Sequence, residues 1–382
     1  MASPDAAERV AAENWFLSRG LPAVLTHRAR WRRLWARSAP VLAAYAALMV
    51  MITLLHIVGG GADIHIDDNP DATEWVLITL LLLAIPVSLA AAVAVSRIST
   101  LAGRRTAASA AVAAAVVCAV IGGGTFTARA VDVVTVGLVV AGAVAINGLG
   151  IGSVLGWAVR LTGSQLASVG ALFARALPVV LLTVLVFFNG YVWAMATKIS
   201  RERMWLVIGF LILIASAFLL TGIVERVRPM LAARSVRADD DSRLTDTPFA
   251  AMADPDTAAP LTRAERVNVI FVVVASQITQ IAMVAVVTGA IFFILGLLAL
   301  SPDLLADWTR GGSAEGTALG VTLPVPQSLI HVTMFLAALT FMYVSARAVG
   351  DGEYRAEFLD PLIDDLRFTL VARNRYRAHI AR

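Results

Sequence analysis

The sequence predicts an all-α fold: a polytopic transmembrane helix bundle of about eight spans, with N- and C-termini cytoplasmic. Three observations carry that expectation. Hydrophobic residues make up 59% of the 382-residue chain and charged residues only 15%, against roughly a quarter charged in soluble domains. Eight apolar stretches recur, and about 20 apolar residues suffice to cross the hydrocarbon of a bilayer. The longest stretch, opening at Arg266 and running to Leu300, holds no proline and no charge after that arginine. Finally, with both ends inside, 26 of the 31 basic residues fall in cytoplasmic pieces and 5 in outer loops, as the positive-inside rule requires.

Residues 1–39 precede the first span as a basic, aromatic arm. Seven arginines (Arg9, Arg19, Arg28, Arg30, Arg32, Arg33, Arg37) surround Trp15, Phe16, Leu17, Trp31, Leu34 and Trp35. That mixture suits a helix in the headgroup layer, with rings in the acyl boundary and guanidinium groups on anionic lipid headgroups. Its position before a span argues against nucleic acid. Residues 40–224 hold spans 1–6: 40–58, 75–95 with Pro86 inside, 106–123, 132–158, 177–197 and 204–224. The turn KISRER between spans 5 and 6 is the weak joint, because its three cations fall outside and a re-entrant pair would relocate them. Residues 225–265 are poor in large apolar groups, and such a segment cannot bury enough surface to fold alone. It reads as a flexible cytoplasmic loop. Residues 266–348 hold spans 7 and 8. The tail 349–382 spaces Tyr354, Phe358, Leu359, Leu362, Leu366 and Leu370 at helical intervals, an amphipathic helix able to dock on the arm.

Chemistry is sparse. The single cysteine, Cys118, excludes a disulfide framework and a multi-thiolate metal site, and its alanine-rich neighbours point to an inert thiol. The acids of the first outer loop (Asp63, Asp67, Asp68, Asp71, with His65) lack the glycine and distal glutamate of an EF-hand, which favours a solvated loop over a cation site. No zinc spacing, P-loop, dinucleotide fingerprint or nucleophile elbow is present. No catalytic residue, cofactor or metal site is therefore expected.

Two features inside the spans remain. Gly148, Gly152 and Gly156 recur at steps of four, a small-residue strip for close helix packing; the functional alternative is a helix broken at 147–150 whose freed carbonyls line a cavity. Ser276, Gln277, Thr279 and Gln280 form the densest polar patch within a span. Buried amides need partners in lipid, and Asn147, Asn189 and His331 are the candidates. The patch is either interhelical glue or a polar cavity for a solute or lipid headgroup. The spans carry no central carboxylate or lysine, which argues against ion-coupled carriers. The small-residue faces admit a homo- or hetero-oligomer.

The stretches ENWFLSRGLPAVL, NGYVWAMATKISRERMWLVIGF, LTRAERVNVIFVVVASQITQ and DGEYRAEFLDPLIDDLRFTLVARNRY resemble those of uncharacterised actinobacterial multi-pass integral membrane proteins. The resemblance covers about half the chain. It implies a multi-pass protein of the plasma membrane and brings no known activity. The expectation is a scaffold or accessory component of an envelope assembly, with a transporter or permease for a small solute or lipid as the alternative and an intramembrane enzyme third.

Overall fold

A computed structural model describes residues 4–26, 31, 34–60, 64–65, 71–122, 126–164, 183–232, 240–253, 259–309, 316–318, 321–323, 325–352 and 355–381. In chain order the helices are α1 (Pro4–Ser18), α2 (Leu34–Val58), α3 (Ala72–Ser96), α4 (Leu101–Gly122), α5 (Phe126–Leu149), α6 (Ile151–Ser164), α7 (Gly190–Lys198), α8 (Arg201–Ala232), α9 (Asp240–Leu244), α10 (Arg263–Ala299), α11 (Pro302–Thr309), α12 (Gln327–Gly350) and α13 (Asp360–Ala381). A 3-10 turn (Pro22–Val24), a π-helical turn (Arg355–Leu359) and three short strands, β1 (Ile64–His65), β2 (Gly316–Ala318) and β3 (Val321–Leu323), complete the set. The all-α class holds. Seven described helices are long and apolar enough to cross a membrane: α2 to α5, α8, α10 and α12. The chain is a multi-pass membrane protein.

The eighth expected span, 177–197, is not among those seven. Residues 165–182 lie outside the described residues. The rest of that stretch is helical over 183–187 and then interrupted at Phe188–Asn189 before the nine-residue α7. Asn189 has extended backbone and its side chain accepts from Tyr191 N at 2.9 Å, an N-cap. The expected single helix over 132–158 is also corrected. Gly150 takes φ +91° and separates α5 from α6, a break inside the 147–150 stretch where the alternative reading of the glycines put one.

The chain divides into two compact units: residues 30–152 with 300–330, and residues 1–29, 153–299 and 331–382. In the first, α2 is the centre. Its Ala39, Leu42 and Ala46 pack on Ala108 and Ala111 of α4, and its Leu55 packs on Leu77 of α3. Alanine-rich α4 lets these helices lie close, and Cys118 is buried there as a free thiol. Helix α3 begins with a capping box: Asp71 accepts from Glu74 N at 2.7 Å and Glu74 from Asp71 N at 2.9 Å. At its other end Arg104 donates to the carbonyls of Ser96 (2.8 Å) and Ile98 (2.7 Å), tying down the short link to α4. The strands join the two long loops of this unit, β1 parallel to β3 and β2 antiparallel to it. The loop acids Asp63, Asp67 and Asp68 lie outside the described residues.

In the second unit α10 is the organising helix. At 37 residues it extends for about 55 Å, well beyond a hydrocarbon core of about 30 Å. Its buried residues (Val269, Val273, Ser276, Gln280, Val284 and Thr288 among them) recur every three or four positions, one face of a helix. Its charged first turn, with Arg263, Glu265 and Arg266, enters a second layer built from the arm, the segment before α10 and the tail.

That second layer overturns two expectations. The segment 225–265 is not an unfolded loop in its described part: α8 continues to Ala232, and residues 240–252 form α9 and a series of turns. Residues 233–239 and 254–258 lie outside the described residues. The segment has too few apolar groups to fold alone, but Leu244, Phe249 and Met252 are buried in a core shared with the arm and tail. Of the arm's aromatic rings, Trp15 and Phe16 likewise seat in protein rather than the acyl boundary, whereas Trp31 is exposed. Phe16 is fully buried, 5.1 Å from Phe249 and 5.4 Å from Tyr376 between ring centroids. Trp15 meets Phe249 edge-on at 4.9 Å. The tail forms the expected helix, α13, with Leu362 and Leu366 buried together with Leu359 just before it, and it does pack on the arm. Tyr354 and the Phe358 side chain lie outside the described residues.

Candidate functional site

The terminal clamp, where α1, residues 240–253 and 259–262, the first turn of α10 and α13 meet, is the most elaborate polar structure among the described residues. Thr262 and Glu265 form a capping box at the start of α10: Glu265 accepts from Thr262 N at 2.8 Å, and Thr262 Oγ1 from Glu265 N at 3.2 Å. The same carboxylate receives Arg373 of α13 in a two-pronged pair, Nε to Oε1 at 3.0 Å and Nη2 to Oε2 at 2.8 Å. The two side chains are 2% and 1% exposed. Arg373 uses its remaining donors on the carbonyls of Ala259 (2.6 Å) and Pro260 (3.2 Å) and on Asn374 Oδ1 (2.9 Å). A buried charge is tolerated only when paired and hydrogen-bonded, and this one is both.

Further pairs carry the tail onto the same scaffold. Arg367 forks onto Asp240 at 2.7 and 2.6 Å; hydrogen bonding to that carboxylate raises its pKa above the ordinary guanidinium value. Arg375 binds Asp241, Arg243 binds Asp364 at 3.1 Å, and Arg19 of the arm binds Asp365 at 2.6 Å. Arg19 also stacks over Trp15 at 4.4 Å, and Arg243 over Phe368 at 4.3 Å. Burial, with the nearby Glu13 charge, raises the Tyr376 hydroxyl above its usual range, so it stays neutral in the aromatic core.

Asn268 fastens the arm to α10. Its amide donates to Gly20 O at 3.1 Å and accepts from Ala23 N at 3.0 Å. Gly20 has φ +73°, a left-handed turn whose α-carbon faces Val272 and Val154, so glycine meets both the conformation and the close approach. Sequence reading passed over Asn268 as one polar residue in an apolar run. The signal was present: it lies on the same face as Glu265 and Val272.

The expected intramembrane candidates do not converge on one cavity. Asn147 belongs to the first unit and folds onto its own helix, donating to Ala143 O at 3.0 Å. Asn189 caps α7. His331 is buried, and its Nδ1 lies 2.9 Å from Ala196 O, to which it donates. Ser276, Gln277 and Gln280 sit on the buried face of α10, and both glutamines are engaged by neighbours; Thr279 folds back to Ala275 O at 2.8 Å. Gln277 borders a cavity of about 10 Å³ together with Leu219, Gly222, Ile223, Arg226, Ala348, Val349 and Leu359, at the lower limit for one water.

The glycine strip is divided by the break at Gly150. Gly148 faces Trp31, Gly152 faces the Asn147 side chain, and Gly156 falls on the following helix. Gly152 is tightly packed against the Asn147 side chain, and close packing between helices also occurs at two glycines that the sequence reading left unremarked. A methyl group on Gly222 would stand 2.5 Å from Val349 Cγ1, and one on Gly289 would stand 3.2 Å from Ala337 Cβ. Among the described residues, no group of three or more His, Cys, Asp or Glu side chains is placed to hold a metal ion.

No protein-family model, curated protein or solved structure matches this chain. Geometry is therefore the guide to function.

Proposed function

We propose that this is a non-enzymatic plasma-membrane protein acting as a scaffold or accessory component of an envelope assembly, with the terminal clamp on the cytoplasmic side. The supporting observation is the division of labour among its polar groups. Within the spans Asn147, Thr279 and His331 Nδ1 bond to nearby backbone, while His331 Nε2 and the Ser328 and Ser345 hydroxyls are buried without a hydrogen-bond partner, and the space beside Gln277 accepts at most one water. The extensive charged network lies beyond the apolar segments, where it fixes both termini to one surface. A folded surface that joins both ends of a chain suits the presentation of a docking platform. Resemblance to actinobacterial membrane proteins is the reason for assigning the plasma membrane. Arg28, Arg30, Arg32 and Arg33, outside the described residues, would meet anionic lipid headgroups at the start of α2.

Transport of a small solute or lipid is the second reading, favoured by the helix interruptions at Gly150 and Asn189. Discontinuous helices near the middle of a span mark binding sites in many carriers. The two readings separate at residue 277. In a Cys118→Ala background, Gln277→Cys is exposed to a membrane-impermeant thiol reagent from each side. The scaffold reading expects no labelling in a folded protein. Rapid labelling from either side would reveal water deep between the helices and transfer the assignment to transport.

A further inference from the structure

We infer that the chain crosses the bilayer an eighth time, between α6 and α8, through a helix interrupted half-way at Phe188–Asn189. The turn Lys198–Arg203 then faces water on the side opposite the clamp. Contacts within the second unit fix one end of this path. Val154, Trp157 and Ala158 of α6 share the core that holds Phe16, Phe249 and Tyr376 of the clamp, as do Ile223 and Val227 near the end of α8. Glu265 starts α10 inside the clamp, and Arg226 of α8 donates to Val349 O at 3.2 Å at the end of α12. The clamp side therefore holds α6, the end of α8, the start of α10 and the end of α12.

The far end of the same three long helices holds α7. Phe187 meets Phe292 of α10 at 5.3 Å between ring centroids, and His331 of α12 donates to Ala196 O at 2.9 Å. Met204 and Ile208, at the start of α8, pack with Ala338 of α12. From Met204 to Val227 α8 rises about 35 Å, and from Glu265 to Phe292 α10 rises about 40 Å, each more than a hydrocarbon core of about 30 Å. Between Ala158 and Ala196 the chain has to cover that distance. The termini require the same: the seven described spans alone are an odd number and would leave α1 and α13 on opposite faces, whereas Phe16 and Tyr376 lie 5.4 Å apart.

Helix α7 has nine residues, about 14 Å, which puts the interruption near the middle of the hydrocarbon. Irregular backbone at that depth must have its polar groups satisfied by protein. Trp193 Nε1 donates to Phe187 O at 2.6 Å, and Asn189 Oδ1 accepts from Tyr191 N at 2.9 Å. Leu185, Phe188 and Tyr191 are exposed and form the surface offered to acyl chains. Exposed Trp205, beside Arg201 and Arg203, marks the far interface, where tryptophan collects.

The test uses the full chain in sealed vesicles, in a Cys118→Ala background, with a membrane-impermeant thiol reagent applied from each side. Ser18→Cys in the arm and Ser200→Cys in the turn, both exposed positions, should label from opposite sides; full reaction of each in detergent controls for reactivity. Labelling of both from the same side, or of Ser200→Cys from neither, overturns the inference. A second measurement probes the interrupted helix itself. With a fluorophore on Leu185→Cys, lipids brominated deep in the acyl chain should quench strongly and aqueous iodide should not. Quenching by iodide as strong as that by the brominated lipid also overturns it.

Discussion

Replacing Glu265 by glutamine isolates the charge at the centre of the clamp. Glutamine at the third helical position still serves a capping box, so the start of α10 keeps its cap and its shape. What is lost is the counter-ion of Arg373, buried at 2% exposure. Removing one member of a buried ion pair costs about 3–5 kcal/mol, because the other charge is left uncompensated. Arg373 retains the carbonyls of Ala259 and Pro260, and Arg377, which also touches Glu265 at 3.3 Å, has access to water. The lower end applies, about 3 kcal/mol, or a roughly hundredfold rise in local opening. Native-state proteolysis of the tail, compared with wild type under conditions where opening equilibrates before cleavage, reads that equilibrium. Pairing Glu265→Gln with Arg373→Met should recover much of the loss, since an apolar replacement of both charges is often near neutral. If Glu265→Gln alone leaves tail cleavage unchanged, the pair does not hold the clamp and the reasoning fails.

Three other perturbations probe the same architecture. Asn268→Ala removes both hydrogen bonds to the Gly20–Ala23 turn and should destabilise the arm's attachment by about 1–3 kcal/mol, the cost of leaving buried partners unmade; disulfide trapping between cysteines introduced at Arg19 and Asp365 should become slower. Gly20→Ala, at φ +73°, should cost on the order of 1 kcal/mol for the strained backbone, visible as a lower unfolding midpoint. Trp193→Phe removes the indole donor that meets Phe187 O at 2.6 Å. Thermal unfolding should register a loss of about 1–3 kcal/mol from the orphaned carbonyl beside the helix interruption.

Hydropathy and charge alternation carried the class of this protein because lipid imposes them on every span: the long apolar runs of α2 to α5, α8, α10 and α12 are visible without any coordinates. Backbone breaks are not so visible. The break at 147–150 was legible only as an alternative to close packing, Asn189 interrupts a stretch whose neighbouring side chains stay apolar, and the tryptophan that satisfies Phe187 O looks like any other aromatic residue. The segment 240–252 was misread for a different reason. Its few apolar residues are too sparse to make a core, yet Phe249 completes one supplied by Phe16, Trp15 and Tyr376. A clue was present in Thr262 and Glu265, spaced as a capping box just before an apolar run. The ion pairs were out of reach, since Asp240 and Arg367 are 127 residues apart and nothing local couples them. Of the candidate polar residues, the sequence correctly singled out a buried stripe on α10, but the expected partners Asn147, Asn189 and His331 are each occupied elsewhere.

Amide hydrogen exchange of the full-length protein in nanodiscs tests the clamp most directly. Residues 240–252 and the inner face of α13 should exchange slowly and gain exchange together in Glu265→Gln, as one cooperative unit. Exchange of 240–252 at the rate of an unstructured peptide, with α13 still protected, would contradict the clamp.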